Sequence, residues 1–163
     1  MLRRQGFKFE TRLNGEQVRK VRRFAGACRF VYNNALALTK DRCTRKEKRL
    51  GYVGLAALLP AWKQEFGWPS DVPAQALQQS LKDLDQAYIN FFKDRANSPV
   101  FRKKSKKDSF RIPQGFEVDS ANGRVKLPKL GWAGATIPVH DPVTGEIWPA
   151  SLFVIVLGTS SYT

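Results

Sequence analysis

Cysteine and histidine are nearly absent: 163 residues hold two of the first and one of the second. Cys28 and Cys43, with 14 residues between them, have neither a C-x-x-C pairing nor a histidine nearby. A zinc knuckle and a disulfide framework are both excluded, and two reduced thiols are expected. His140 has no partner in sequence, so no metal site and no cofactor is expected. Long apolar runs are missing too. The longest, Leu152 to Leu157, is six residues, against the ~18 that a membrane span needs. Met1 to Arg4 is not followed by an apolar signal-peptide core. A cytoplasmic protein with no membrane partner is the expectation.

Acidic residues are the third shortage. The formal charge is +14 and the pI about 10.2, which favours a polyanionic partner, nucleic acid before an anionic membrane surface. At 42% hydrophobic and 12% aromatic residues the chain can nonetheless bury one core of ordinary size. Its charge is unevenly spread. All 28 lysines and arginines lie within residues 1–132, whereas residues 133–163 carry only Asp141 and Glu146. The break at Trp132 marks a change of domain or of reading frame, and a frameshifted tail over 133–163 is expected. The alternative is that "ATIPV" and "ASLFVIVLG" form strands divided by a "DPVTGE" turn.

In "GFKFETRL", Phe7, Phe9 and Leu13 alternate with polar residues, which predicts a half-buried strand. Asn14 with Gln17 three residues on reads as a capping box, and Val21, Phe24, Cys28, Val31, Ala35 and Leu38 follow at helical spacing over roughly 15–40. "YVGLAALLPAWKQEFGW" reads as a shorter helix interrupted near Pro60. Pro73 suits a first helical position, and Leu77, Leu81, Leu84, Tyr88 and Phe91 form the seam of a packed helix. "SFRI", "FEV" and "RVKL" are short strand candidates between turn-forming segments. The order strand, helices, strands predicts an α+β fold. It is read as a small interrupted β-barrel, OB-like, formed by 1–13 and 97–163, with a three- to four-helix insertion over 14–96.

Two basic clusters are candidate phosphate contacts. Arg19, Lys20, Arg22, Arg23 and Arg29 share the first long helix, where five like charges repel unless a polyanion or solvent screens them. "FRKKSKKDSFRIP" packs Arg102, Lys103, Lys104, Lys106 and Lys107 between Phe101 and Phe110. Held on an ordered edge, such a run can track a sugar-phosphate backbone, and neighbouring aromatics can stack on bases. Both phenylalanines are expected in the core.

"GACRFVYNNALAL", "PAQALQQSLKDLDQAYINFF", "FRKKSKKDSFRIPQ" and "RVKLPKLGW" follow one another over residues 26–132. They resemble, in order and spacing, the N-terminal signatures of the TnpB or OrfB proteins of insertion-sequence transposons. The resemblance implies a wedge domain, the interrupted barrel, and a helical recognition lobe. It also implies an RNA-guided DNA endonuclease whose RuvC-like carboxylates lie in a later domain. Residues 133–163 do not resemble the family, and Asp141 and Glu146 alone cannot supply a two-metal site, so no catalytic residue is expected here. By the same resemblance, the duplex-motif reader falls on Tyr52, on the start of the "PAQALQQ" helix with Gln75 and Gln78, and on Gln114. Glutamine can pair bidentately with adenine; these glutamines can equally be solvated helix positions.

Three readings follow. The chain is a non-cleaving fragment that binds a transposon-derived guide RNA and target DNA. Alternatively, it is a helix-turn-helix transposase accessory or repressor acting on transposon-end DNA. In the third, a separate nuclease-bearing chain completes it in trans.

Overall fold

The computed structural model describes residues 10–104, 108–135 and the backbone of 153–156. Its longest element is α1, Gly15–Thr44, and the expected capping box starts it. Asn14 Oδ1 accepts from the Gln17 amide at 2.8 Å and Gln17 Oε1 accepts from the Asn14 amide at 3.1 Å, so two otherwise unpartnered N–H groups are satisfied reciprocally. Val21, Phe24, Cys28, Val31, Ala35 and Leu36 are buried along one face.

That face packs on α4, Ala74–Phe92. Small residues lie where the helices meet, so their backbones approach closely enough for direct hydrogen bonds. Ser80 Oγ donates to the Cys28 carbonyl at 2.6 Å, and Cys28 Sγ donates to the Ala76 carbonyl at 3.5 Å. Leu77, Leu81, Leu84 and Tyr88 are buried as the seam requires, but Phe91 is exposed. Pro73 sits at the N-cap, one position before its expected place. Pro60 does not break a helix; it lies in the first turn of one. The segment divides into α2, Tyr52–Ala56, and α3, Leu59–Phe66, because a first-turn proline has no N–H bond to lose.

The strands are β1 (Thr11–Arg12), β2 (Ser109–Ile112), β3 (Glu117–Asp119), β4 (Arg124–Leu127), β5 (Gly131–Ala135) and β6 (Phe153–Val156). Among the described residues they form an open antiparallel sheet of order β1-β5-β4-β3 and a separate β2-β6 ladder, not one closed barrel. Phe7 and Phe9 lie outside the described residues. β5 crosses the composition break at Trp132 and β6 pairs with β2 along its length. The acid-poor stretch therefore contributes strands to both sheets, as the alternative reading of "ASLFVIVLG" expected; "DPVTGE" lies outside the described residues.

Val125, Leu127, Ala133 and Ala135 turn inward, and Phe110 and Ile112 of β2 join the same core. Phe24 and Phe110 meet edge to face, centroids 5.6 Å apart. The two phenylalanines of the basic stretch thus part company: Phe110 is 3% exposed, but Phe101 is 48% exposed. Phe101 is not a core residue because its ring lies at the surface under Lys40, whose Nζ is 4.7 Å from the centroid. The β4–β5 turn carries Lys129 at φ 62°, an unfavourable angle for a side chain. Its ammonium compensates by donating to the carbonyls of Ser70 at 2.5 Å and Val72 at 3.3 Å, which ties the turn to the entry of α4. No helix among the described residues is long and apolar enough to cross a membrane.

Candidate nucleic-acid interface

The basic run leaves α4 and returns to β2, and both of its ends are fastened to α1. At the first end the Asn33 amide pairs with the backbone of Arg102 in both directions. Asn33 Nδ2 donates to the Arg102 carbonyl at 3.0 Å, and the Arg102 N–H donates to Asn33 Oδ1 at 2.8 Å. The Arg102 guanidinium lies 3.8 Å from the Tyr32 ring centroid and 3.5 Å from Asp83. Arg111 of β2 pairs with the other Asp83 oxygen. At the second end Arg29, one turn before Asn33, holds Asp108 at 2.6 Å. That pair is about four-fifths buried on each side, where it is screened far less than a surface pair.

Between these anchors Lys103 and Lys104 are exposed; Lys106 and Lys107 lie outside the described residues. Arg102 and Arg29, expected as phosphate contacts, also help to fix the loop. The remaining α1 cations occupy the half of the helix opposite its buried face. Lys20 pairs with Glu16 at 2.8 Å and Arg23 with Asp71 at 2.9 Å, while Arg19 and Arg22 are exposed. Lys20, Arg23 and Lys129 line a cleft of about 440 Å³ with Phe24, Ser70 and Asp71. This cleft brings one of the expected clusters beside the β4–β5 turn.

Of the expected duplex-reading residues, Gln75 and Gln78 lie on α4, Gln114 is bonded to Gln75, and Tyr52 is on α2. Gln75 Nε2 donates to the Gln114 carbonyl at 2.7 Å, and the Gln114 N–H donates to Gln75 Oε1 at 3.2 Å. Both hydrogen-bonding ends of the Gln75 amide are thus engaged in holding the β2–β3 connection to α4. Gln78 is exposed on the next turn. Tyr52, on α2, is half-buried with Lys82 Nζ 5.1 Å from its ring centroid.

Asn33 was not singled out from sequence; no local pattern marks a side chain whose partner lies 69 positions away. Arg124, Lys126 and Trp132 were missed as a group for a different reason. The alternation of "RVKL" does show which two residues point outward, but their meeting with Trp132 depends on strand register. Burial pushes the Cys28 thiol up to about 12, so it is an inert packing residue. Among the described residues no three His, Cys, Asp or Glu side chains gather where they could hold a metal ion.

Fold and surface together describe a cationic α+β scaffold presenting a tethered lysine loop. Residues 1–48 match the helix-turn-helix domain of OrfB proteins of the IS605 type; the described part of that match is β1, the Asn14 cap, all of α1 and the few residues after it. The chain is 50% identical to InsQ of Escherichia coli (strain K12), named as a candidate RNA-guided DNA endonuclease, over 134 residues, 81% of this chain and 33% of that protein. A similarly named protein of Streptomyces pristinaespiralis is 32% identical over 130 residues, 77% of this chain and 32% of its own. A protein of Sinorhizobium fredii (strain NBRC 101917 / NGR234), named as a candidate transposase, is 45% identical over 53 residues, 32% of this chain and 10% of that protein. The chain belongs to the TnpB/OrfB type of insertion-sequence transposon proteins. It spans about a third of the length of the two endonuclease relatives.

Proposed function

We propose that this chain is the nucleic-acid-binding portion of an RNA-guided transposon endonuclease, gripping guide RNA and target DNA without cutting either itself. The strands would serve as its wedge, a β-barrel in the making, and the helices between them as its recognition lobe. One observation carries this reading: the lysine run is clasped at Arg102 and Asp108 to consecutive turns of α1. Beside its Arg102 anchor the loop presents Lys103 and Lys104 in a fixed place, so a phosphate backbone can displace condensed counterions there without first ordering that part of the chain.

Among the described residues Asp71, Asp83, Asp85, Asp108, Glu117 and Asp119 each face an arginine or lysine, whereas two-metal hydrolysis needs carboxylates that converge on ions about 4 Å apart. The helix-turn-helix match favours a second reading, an accessory or repressor that binds transposon-end DNA without a guide. Sequencing the RNA that copurifies with the chain separates the two. Enrichment of one transposon-end transcript is the expected result; a random RNA sample together with tight binding to transposon-end duplex would favour the repressor. Chelator-sensitive DNA cleavage by the purified chain would refute the non-cleaving role.

A further inference from the structure

The outer face of the open sheet carries an aromatic platform that the tethered loop does not explain. Trp132 is 39% exposed, in register with Lys126 on β4. The Arg124 guanidinium carbon lies 4.5 Å from the indole centroid and Lys126 Nζ lies 5.7 Å from it. The next row outward along the same face is Arg12–Gly134–Arg124, two arginines flanking a residue with no side chain. The platform is held in place from behind: the Trp132 carbonyl accepts from Gln17 Nε2 at 2.7 Å. Gln17 is also the residue that closes the α1 capping box.

Acids are present on this face as well, and their placement matters. Asp119 accepts from Arg124 Nε at 2.8 Å, and Glu117 accepts from Lys126 Nζ at 2.9 Å. Both stand on β3, at the sheet edge away from Arg12. Gripped only through Nε among the described residues, Arg124 keeps the terminal nitrogens of its fork available to another acceptor. A ring face that accommodates a planar guanidinium at 4.5 Å also accommodates a planar base.

We infer that Trp132 is a stacking platform for an unpaired nucleobase, with the adjoining phosphate held by Arg124 and Arg12 over Gly134. This rests on the nucleic-acid-binding reading and adds a single-strand site to it, on a different surface from the lysine loop. When the base stacks, the guanidinium leaves the ring for the phosphate. Duplexes are poor ligands here, since their bases are already stacked on one another.

The test uses the whole chain with fluorescein-labelled 12-mers of one sequence, as single-stranded RNA, single-stranded DNA and DNA duplex, at fixed salt. Trp132→Ala is expected to weaken single-strand binding about 5- to 150-fold, the range for one stacked base, and to change duplex binding less than about twofold. Trp132→Phe, which keeps a stacking ring and covers the case of a misfolded alanine variant, should retain most single-strand affinity. The larger loss on RNA would assign the base to RNA, and the larger loss on DNA would assign it to DNA. Equal losses on single strands and duplex from both variants, or none from either, would overturn the platform while leaving the lysine loop's role intact. Failure of the unaltered chain to bind any of the three would overturn both.

Discussion

Replacing Asn33 by alanine should loosen the lysine loop without removing a single charge. The substitution deletes two partly buried hydrogen bonds, 3.0 and 2.8 Å long, between the side-chain amide and the Arg102 backbone. At a net worth of ~1 kcal/mol each, with both backbone groups released to water, the folded state should lose about 1–2 kcal/mol. For a chain of this length that lowers Tm by roughly 2–8 °C. The effect on binding comes from entropy. Once unclasped, about one more residue must be ordered when nucleic acid docks, at about 1–2 kcal/mol, so affinity for RNA or duplex DNA should fall about 5- to 30-fold. The number of phosphates neutralised is unchanged, so a plot of log Kobs against log salt should be displaced but keep its slope. Fluorescence anisotropy across a salt series, with a thermal melt of the same samples, measures both quantities. Unchanged affinity together with unchanged Tm would refute the idea that Asn33 orders the loop. A shallower slope would place Asn33 among the phosphate contacts instead.

Other substitutions should separate charge from scaffold. Lys103→Gln with Lys104→Gln should do the opposite of Asn33→Ala, making the salt slope on duplex shallower by about 1.8, at ~0.9 per phosphate contact, with Tm nearly constant; an unchanged slope would remove these lysines from the interface. Gln75→Ala should lower Tm because its amide holds Gln114, yet leave preference among duplex sequences unaltered; a change in that preference, measured by competition, would restore Gln75 as a base reader. Iodoacetamide near pH 8 should modify one thiol in the native protein and two after denaturation, read by mass spectrometry. Cys43 is exposed, whereas burial holds Cys28 protonated, its pKa raised to about 12; fast labelling of Cys28 would contradict the close α1–α4 contact.

Local chemistry wrote the helices into the sequence. Asn14 and Gln17 announce the start of α1, and the apolar spacing from Leu77 to Tyr88 fixes the buried side of α4. "SFRI" and "RVKL" alternate, and both are strands with Phe110, Ile112, Val125 and Leu127 inward. Depth was less legible. Phe101 and Phe110 bracket the same charges and residue type placed both in the core, but only Phe110 lies in an alternating strand that carries it there. The open sheet joins strands from opposite ends of the described chain, so its β1–β5 pairing has no short-range signal. Much of the candidate site was hidden for the same reason. The clasp of Asn33 on Arg102, the engagement of Gln75 by Gln114 and the meeting of Arg124 with Trp132 all depend on tertiary neighbours. Residue type gave Arg29 and Arg102 the same standing as Lys103 and Lys104, yet the first two are held by carboxylates and the last two are exposed.

The most direct test of a fixed cationic surface acting on phosphates is the salt dependence of binding by the unaltered chain, measured on duplex DNA from about 50 to 200 mM monovalent salt. If the four lysines of the run each neutralise one phosphate, the slope of log Kobs against log salt should be about −3.6 or steeper. A slope near zero, or no measurable binding at the low-salt end, would contradict the central claim.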